Sequence, residues 1–323
     1  MTEATFILTL NAIRGVGYKS ITSVLSTGIA FQEIIDHPQI LSGLKLRNRP
    51  EIIKSLSENK AELLAQAESQ LEEARKCEAV VISINDPNYP AKLKKSSEPP
   101  LILFCIGNVK LMDQAAVAVI GSRKGCEYGK LIAKSTVQAM GSAGNVIVSG
   151  LAIGIDTAAH EAALEFGIPT IAVLPDIATI EPKANISLAA RIVESGGLLI
   201  AENVPNHRIS IGDFIKRDRI QVALSEAIFP IQTSIDGGTM HAVHEAERSK
   251  TPIYCPDYSY FIELGNINPE SPEIIGVQEL IKTGMANSYT KNDYGQIENR
   301  IKARIVFLDS SADKHKVTDK KQD

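Results

Sequence analysis

The sequence predicts an α/β protein: an extended Rossmann-like, doubly wound, mostly parallel sheet with a small all-helical domain in front of it. Three observations predict this. From residue 117 onward, short apolar runs alternate with helical patterns. Those runs are apolar throughout rather than alternating, as strands covered on both faces require. Several end in glycine-bearing turns that lead straight into a helix, the local arrangement in which backbone N–H groups and helix N-termini attract phosphate. The domain boundaries expected are 1–75 for the helical domain, 76–290 for the Rossmann-like domain, and 291–323 for a short, partly disordered tail.

In the first domain, apolar residues recur at helical spacing through Ile7, Leu8, Leu10 and Ile13, break at Gly15-Val16-Gly17, and resume through Ile21, Val24 and Leu25. The stretch 11–25 has the form of one helix-hairpin-helix element. In that form Gly15 and Gly17 offer backbone N–H groups to a DNA phosphate with Lys19 alongside. It reads equally as a helical turn in a SAM-like interaction domain. KAELLAQAESQLEEARK at 60–76 is a strong helix by propensity and links the domains. VVISI at 80–84 and LILFCIG at 101–107 are strands separated by Asn85-Asp86-Pro87 and Pro99-Pro100. Further strands are expected at 117–121, 145–149, 170–174, 197–201, 227–231 and 252–255. Helices fill the gaps near 127–141, 157–166, 185–195, 213–224 and 238–249. Beyond about 290 the apolar content thins and SSADKHKVTDKKQD reads as a tail.

Composition excludes several classes. With 44% hydrophobic and 22% charged residues the chain is ordinary for a globular protein, and its net charge of −4 supplies no global basic field for nucleic acid. Cys77, Cys105, Cys126 and Cys255 have no CxxC spacing and read as buried thiols in a reducing compartment. The N-terminus lacks a basic n-region, so no signal peptide is expected, and no apolar run is long enough for a membrane span. The expected location is the cytoplasm.

The chemistry sits in three turns and one basic segment. Gly121-Ser122-Arg123-Lys124 follows the strand VAVI: Gly121 permits a tight turn, Ser122 caps or donates, and Arg123 presents a planar fork to phosphate. Alone, the tripeptide is as readily a tight turn with a surface arginine. The second turn runs through Ser149, Gly150 and Gly154 to Asp156, which is expected to organise the loop. His160 is expected to be a packing histidine. In GDFIKRDRIQVALSEA at 212–227, Lys216, Arg217 and Arg219 crowd the start of a helix against its dipole, as happens where an anion compensates, although Asp213 and Asp218 also offset them. The third turn, IDGGTMHAVHEA at 235–246, offers Gly238 and Thr239 to a further phosphate. His241 and His244 have no convincing third ligand, so no metal is expected. GxGxxG and a ribose-binding acid are both missing, as is GxSxG. Neither a nicotinamide cofactor nor hydrolase chemistry is expected, and no catalytic constellation is evident.

Taken together, YPAKLKKSSEPPLILFCIGN at 89–108, AVAVIGSRKGCEYG at 116–129, SGLAIGIDTAAHEAAL at 149–164, PTIAVLPDI at 169–177, GDFIKRDRIQVALSEA at 212–227 and GVQELIKTGMA at 276–286 resemble the DNA-processing protein A (DprA/Smf) family over residues 89–289. The resemblance implies a cofactor-free, non-enzymatic protein that binds single-stranded DNA. It further implies a dimer that helps load a RecA-type recombinase, notably in transformation. By motif it puts Arg123 and Lys124 in the phosphate-gripping loop and Lys216, Arg217 and Arg219 in the basic segment, with Gly121, Ser122, Ser149 and Gly150 lining the pocket. The chain departs from the pattern at Asp218, where the family usually has asparagine, at DGGTMHA, and at Pro256-Asp257. The residues after 290 are too few for the winged-helix domain of many members. The competing expectation is a nucleotide-binding or nucleotide-cleaving enzyme related to the lysine-decarboxylase-like phosphoribohydrolases. DGGTMHAVHE partly resembles their GGxGTxxE signature, but with a different spacing.

Overall fold

The computed structural model describes residues 1–319. The helical part comprises α1 (Glu3–Asn11), α2 (Tyr18–Leu25), α3 (Phe31–Asp36) and α4 (Arg49–Lys76), the last kinked at Asn59. The α/β part follows as β1 (Val80–Ser83), α5 (Ala91–Lys94), β2 (Ile102–Gly107), β3 (Ala116–Ile120), α6 (Glu127–Ser142), β4 (Val146–Ser149), α7 (Ile155–Glu165) and β5 (Thr170–Leu174). It continues through α8 (Ile186–Glu194), β6 (Leu198–Ala201), α9 (Ile211–Leu224), β7 (Ala227–Pro230), α10 (Thr239–Ser249), β8 (Tyr254–Pro256), α11 (Ser259–Glu263), α12 (Pro272–Lys282), β9 (Asn287–Tyr289) and α13 (Tyr294–Asp319).

Seven strands form one sheet in the order β1-β2-β6-β5-β4-β3-β7. The run from β6 to β7 is parallel, while β2 pairs antiparallel with β6 and β1 antiparallel with β2. The sheet is the mostly parallel, Rossmann-like one the apolar runs predict. Its two faces are buried by different helices. Val117, Val119 and Ile147 pack with α6 and α7, whereas Ala118, Ile120, Val148 and Ile171 pack with α9 and α10. Phe6, Leu10, Ile34 and Ile52 form the centre of the helical part, and their cluster runs on into Leu174, Leu199 and Ala201 of the sheet.

The expected strand at 252–255 does not extend the large sheet. β8 pairs in parallel with β9, which was not expected, and among the described residues the strand pairing toward β7 is limited to an isolated bridge between Ile228 and Ile253, just before β8. The expected tail also differs, because residues 294–319 are helical. Ile297 and Ile301 lie one turn apart and are buried against the α6 side of the core, an i, i+4 pair too sparse to stand out in a polar stretch. The tail expected at 320–323 lies outside the described residues.

Strand order fixes where a ligand can enter. The chain leaves β3 and winds outward through β4, β5 and β6, then returns to place β7 on the other side of β3. The turn after β3 leads to α6 on one face, and the turn after β7 leads to α10 on the opposite face. Between the carboxyl ends of β3 and β7 the two turns diverge and leave a crevice, the topological switch point of a doubly wound sheet.

Candidate nucleic-acid interface

That crevice is a cavity of about 550 Å³, lined by residues 120–124 at the end of β3, by 233, 234 and 236–239 with His241 and Ala242 after β7, and by Phe214, Arg217, Asp218 and Gln221 of α9. The family resemblance puts Ser149 and Gly150, at the end of β4, in one pocket with Gly121 and Ser122, after β3. The cavity instead joins the turn after β3 to the turn after β7, and the loop after β4 lies beneath as a support. Parallel neighbours whose helices cover the same face leave no opening between their turns.

The turn after β3 is held from both sides. Ser122 N–H donates to the Gln232 carbonyl at 2.7 Å, and Cys126 N–H donates to Gln232 Oε1 at 2.9 Å. Ser122 Oγ accepts Lys124 N–H at 3.0 Å, closing the loop that presents Arg123 and Lys124. Both cations are exposed, and neither has an ion-pair partner among the described residues; the Arg123 guanidinium lies 5.4 Å from the centre of the Phe214 ring. Gly154, at φ +91°, lets the loop after β4 come up beneath this turn, where a Cβ would stand 2.4 Å from the Ser122 carbonyl. Across the cavity Gly238 and Thr239 begin α10 with no side-chain cap; the Met240 and His241 N–H groups are taken by the Gly237 and Gly238 carbonyls, which leaves those of Gly238 and Thr239 for the crevice. The predicted residues Gly121, Ser122, Arg123, Lys124, Arg217, Gly238, Thr239 and Asp156 all line the cavity.

The other predicted residues stand elsewhere. Ser149 is fully buried and donates its hydroxyl to the Val119 carbonyl at 2.7 Å, which makes it a strut between strands. Gly150 serves a side chain: a Cβ there would stand 1.8 Å from Arg217 Nη1, so the guanidinium lies flat on the glycine. Lys216 and Arg219 do not join Arg217. They reach the far side of α9 and converge on Glu202, at 3.1 and 2.8 Å, and Arg219 Nε also donates to the Glu98 carbonyl. The basic segment is therefore split by the helical period. Phe214, Arg217, Asp218 and Gln221, three or four apart, face the crevice, while Lys216 and Arg219 face away. Gly15 and Gly17 lie in the helical part, at the turn before α2, and Lys19 lies in the first turn of α2.

The floor of the crevice is a buried charge cluster. Asp156 accepts the N–H groups of Gly121, at 3.3 Å, and of Ala152, at 3.4 Å, joining the turns after β3 and β4. Arg217 lies between Asp156, 3.8 Å away, and Asp218, 3.4 Å away, and its buried Nε has no hydrogen-bond partner. Two carboxylates thus share one guanidinium. Burial pushes the Asp218 carboxyl up to about 6 against the opposing pull of Arg217, and burial raises Asp156 as well. The crevice is consequently not simply basic: Arg123, Lys124 and Arg217 face Asp156, Asp218, Asp236 and Glu273.

Below the floor His160 is fully buried, its Nδ1 2.8 Å from Thr170 Oγ1. Thr170 gives its single proton to the Ile147 carbonyl, so His160 Nδ1 carries the hydrogen and donates. Burial, reinforced by Arg217, holds the ring neutral with its pKa down to about 3. It is a packing histidine, as expected.

Sequence reasoning missed Phe214, Asp236 and Glu273. Phe214 was legible, since it lies three residues before Arg217 on one helical face. Glu273 was not: it comes from α12, and its Oε1 reaches Ser122 Oγ, 3.5 Å away, only through the fold. No helix among the described residues is long and apolar enough to cross a membrane, and none of their His, Cys, Asp and Glu side chains form a group of three or more able to hold a metal.

Comparison with known proteins decides the family. Residues 80–298, more than half of the chain, match the family model described as DNA recombination-mediator protein A. The chain belongs to that family. Among curated recombination-mediator A relatives, protein Smf of Borreliella burgdorferi is 34% identical over 181 residues, covering 55% of this chain and 57% of its own. The chain spans about half the length of the curated relatives it matches. Among solved structures, DNA processing protein A from Streptococcus pneumoniae superposes with a TM-score of 0.74 at 26% identity, over 92% of this chain and 98% of that one. The Helicobacter pylori protein, whose single-stranded DNA binding mode is described, gives a TM-score of 0.59 at 24% identity, over 69% of this chain and 96% of its own, and shares the fold.

One consequence of the recombination-mediator fold is local and testable. Gly150→Ala should push the Arg217 guanidinium off its seat. We expect a loss of about 1–3 kcal/mol in urea unfolding, the usual cost of overpacking, whereas Gly295→Ala, at a glycine with neither a positive φ nor a neighbour within 4 Å, should show no loss.

Proposed function

We propose that this protein binds single-stranded DNA along its phosphate backbone in the β3/β7 crevice and acts without catalysis. On this reading it works in the cytoplasm as a homodimer and assists the loading of a RecA-type recombinase during DNA processing or uptake. One observation carries the reading. In a chain of the recombination-mediator family, two unpaired cations, Arg123 and Lys124, face the uncapped start of α10 across a cavity at the sheet's switch point. Arg123 and Lys124 grip phosphates, the N–H groups of Gly238 and Thr239 donate to a neighbouring one, and Gly121 and Ser122 shape the turn. Arg217 with Asp156 holds the turns after β3 and β4 in register. Its charge is already shared between two carboxylates, so it acts as a positioning residue.

The test is fluorescence anisotropy with labelled oligo-dT and a duplex of equal length at two salt concentrations. Arg123→Ala combined with Lys124→Ala should weaken oligo-dT binding tenfold or more. It should also lower the salt slope by about 1.4, two phosphates at about 0.7 each. Equal affinity for duplex and single strand, or an unchanged slope in the double variant, would overturn the reading.

A further inference from the structure

The turn before α2 is not isolated in the helical part. Asn48, in the left-handed region at φ 54°, donates its side-chain amide to the Gly15 carbonyl, and Arg49 donates to the Leu44 carbonyl. The first of these bonds ties the segment 44–49 to the segment 14–19, and the second closes the segment 44–49 on itself. The two segments, RGVGYK and LKLRNR, contain five basic residues and no acidic one. Arg14, Lys19, Lys45 and Arg47 are exposed, and none has an ion-pair partner among the described residues. By contrast, Lys216 and Arg219 of α9 are tied to Glu202.

This basic pair of segments borders α9. Tyr18, at the start of α2, packs on the apolar cluster shared by the helical part and the sheet, which includes Leu101, Ile102 and Ala201 next to Glu98 and Glu202. The charges of Glu98, Arg219 and Glu202 act on its phenol, so it stands beside the cluster on the far side of α9. Lys216, half exposed, stands above that cluster. The crevice face of α9 and the face beside Tyr18 are thus separated by one helix, about 10 Å across. Glu98 is the exposed acid at this seam, and Glu202 is already neutralised from two sides.

We propose that a single-stranded DNA backbone leaving the β3/β7 crevice crosses α9 at Lys216 and is held a second time by Arg14, Lys19, Lys45 and Arg47. This rests on the reading of the crevice as a single-strand site, and it makes the helical part a second grip on the same strand. Separate grips joined by one ligand raise affinity only for strands long enough to span both.

Anisotropy with two oligo-dT lengths, about 6 and about 20 nucleotides, separates the two sites, since single-strand sites run on the order of 4–16 nucleotides. The variant is Arg14→Ser, Lys19→Ser, Lys45→Ser and Arg47→Ser together in the full chain, with thermal melting to establish that it folds. It should bind the long oligonucleotide at least tenfold more weakly, with its salt slope reduced by about 3, and leave the short one within twofold. A photo-crosslinking thymidine at one end of the long oligonucleotide should attach to residues 14–19 or 44–49 in the unaltered protein. If the short oligonucleotide binds but the long one gains nothing from these four residues, the second grip is overturned alone. If the short one does not bind either, the crevice reading fails, and the path that starts there falls with it.

Discussion

Replacing Asp218 by asparagine is expected to stabilise the protein at neutral pH and tighten its hold on anions. Asp218 is buried beside a guanidinium that already faces Asp156, and its carboxyl is raised to about 6 from the ordinary value of 3.8. A carboxyl raised on folding binds its proton more tightly in the folded state, so stability falls as pH rises through the window from about 4 to about 6. Above that window the penalty is complete, about 3 kcal/mol for a shift of roughly two units, and at pH 5 about half of it remains. Asparagine keeps the shape and removes the charge, leaving Arg217 paired with Asp156. Urea unfolding at pH 7.5 should therefore show Asp218→Asn more stable by about 1–3 kcal/mol, the upper end being reduced by the lost attraction to Arg217. The gain should shrink as the pH is lowered to 5 and below. Oligo-dT affinity of the unaltered protein should rise as pH falls through about 6, and the variant should lose that pH dependence. A variant destabilised equally at pH 7.5 and 4.5 would show that Asp218 is held by contacts that outweigh its charge.

Arg217→Met is expected to have the opposite and larger effect. The substitution leaves Asp156 and Asp218 buried without a cation, and stranding one partner of a buried pair costs about 3–5 kcal/mol. Asp156 joins the turns after β3 and β4 through Gly121 and Ala152, so its loss of compensation should also loosen the loop that carries Arg123 and Lys124. The double variant Arg217→Met with Asp218→Asn should recover part of the stability, because one of the two stranded carboxylates is gone. A double-mutant cycle in urea measures the recovery. No recovery would mean that the guanidinium contributes through its packing on Gly150 rather than through charge.

Much of the architecture was legible in the chain. Continuous apolar runs such as AVAVI and TIAVL become strands buried on both faces, and the glycine-bearing turns after β3 and β7 lead into helices. Asp156, placed next to such a turn, accepts the Gly121 N–H, and His160 is fully buried against Thr170. The short β9 and the docking of α13 were not legible. Three strand residues carry too weak a pattern, and the apolar pair Ile297 and Ile301 gains its meaning only from the core it covers.

The site divides along the same line. Which residues could meet an anion was written in local sequence: Gly121-Ser122-Arg123-Lys124 and Gly238-Thr239 each sit where a strand ends and a helix or turn begins, a matter of a few neighbouring residues. Which of them face one another was decided by tertiary structure alone. Strand order brought the third turn, not the second, opposite the first. The period of α9 sent Lys216 and Arg219 to one side and Arg217 to the other. It also buried Arg217 between two carboxylates on Gly150, turning an apparent wall of positive charge into a compensated floor. Charge and turn chemistry are properties of short segments, whereas facing, burial and pairing depend on contacts between segments far apart in the chain, and those contacts exist only once the sheet has closed around its switch point.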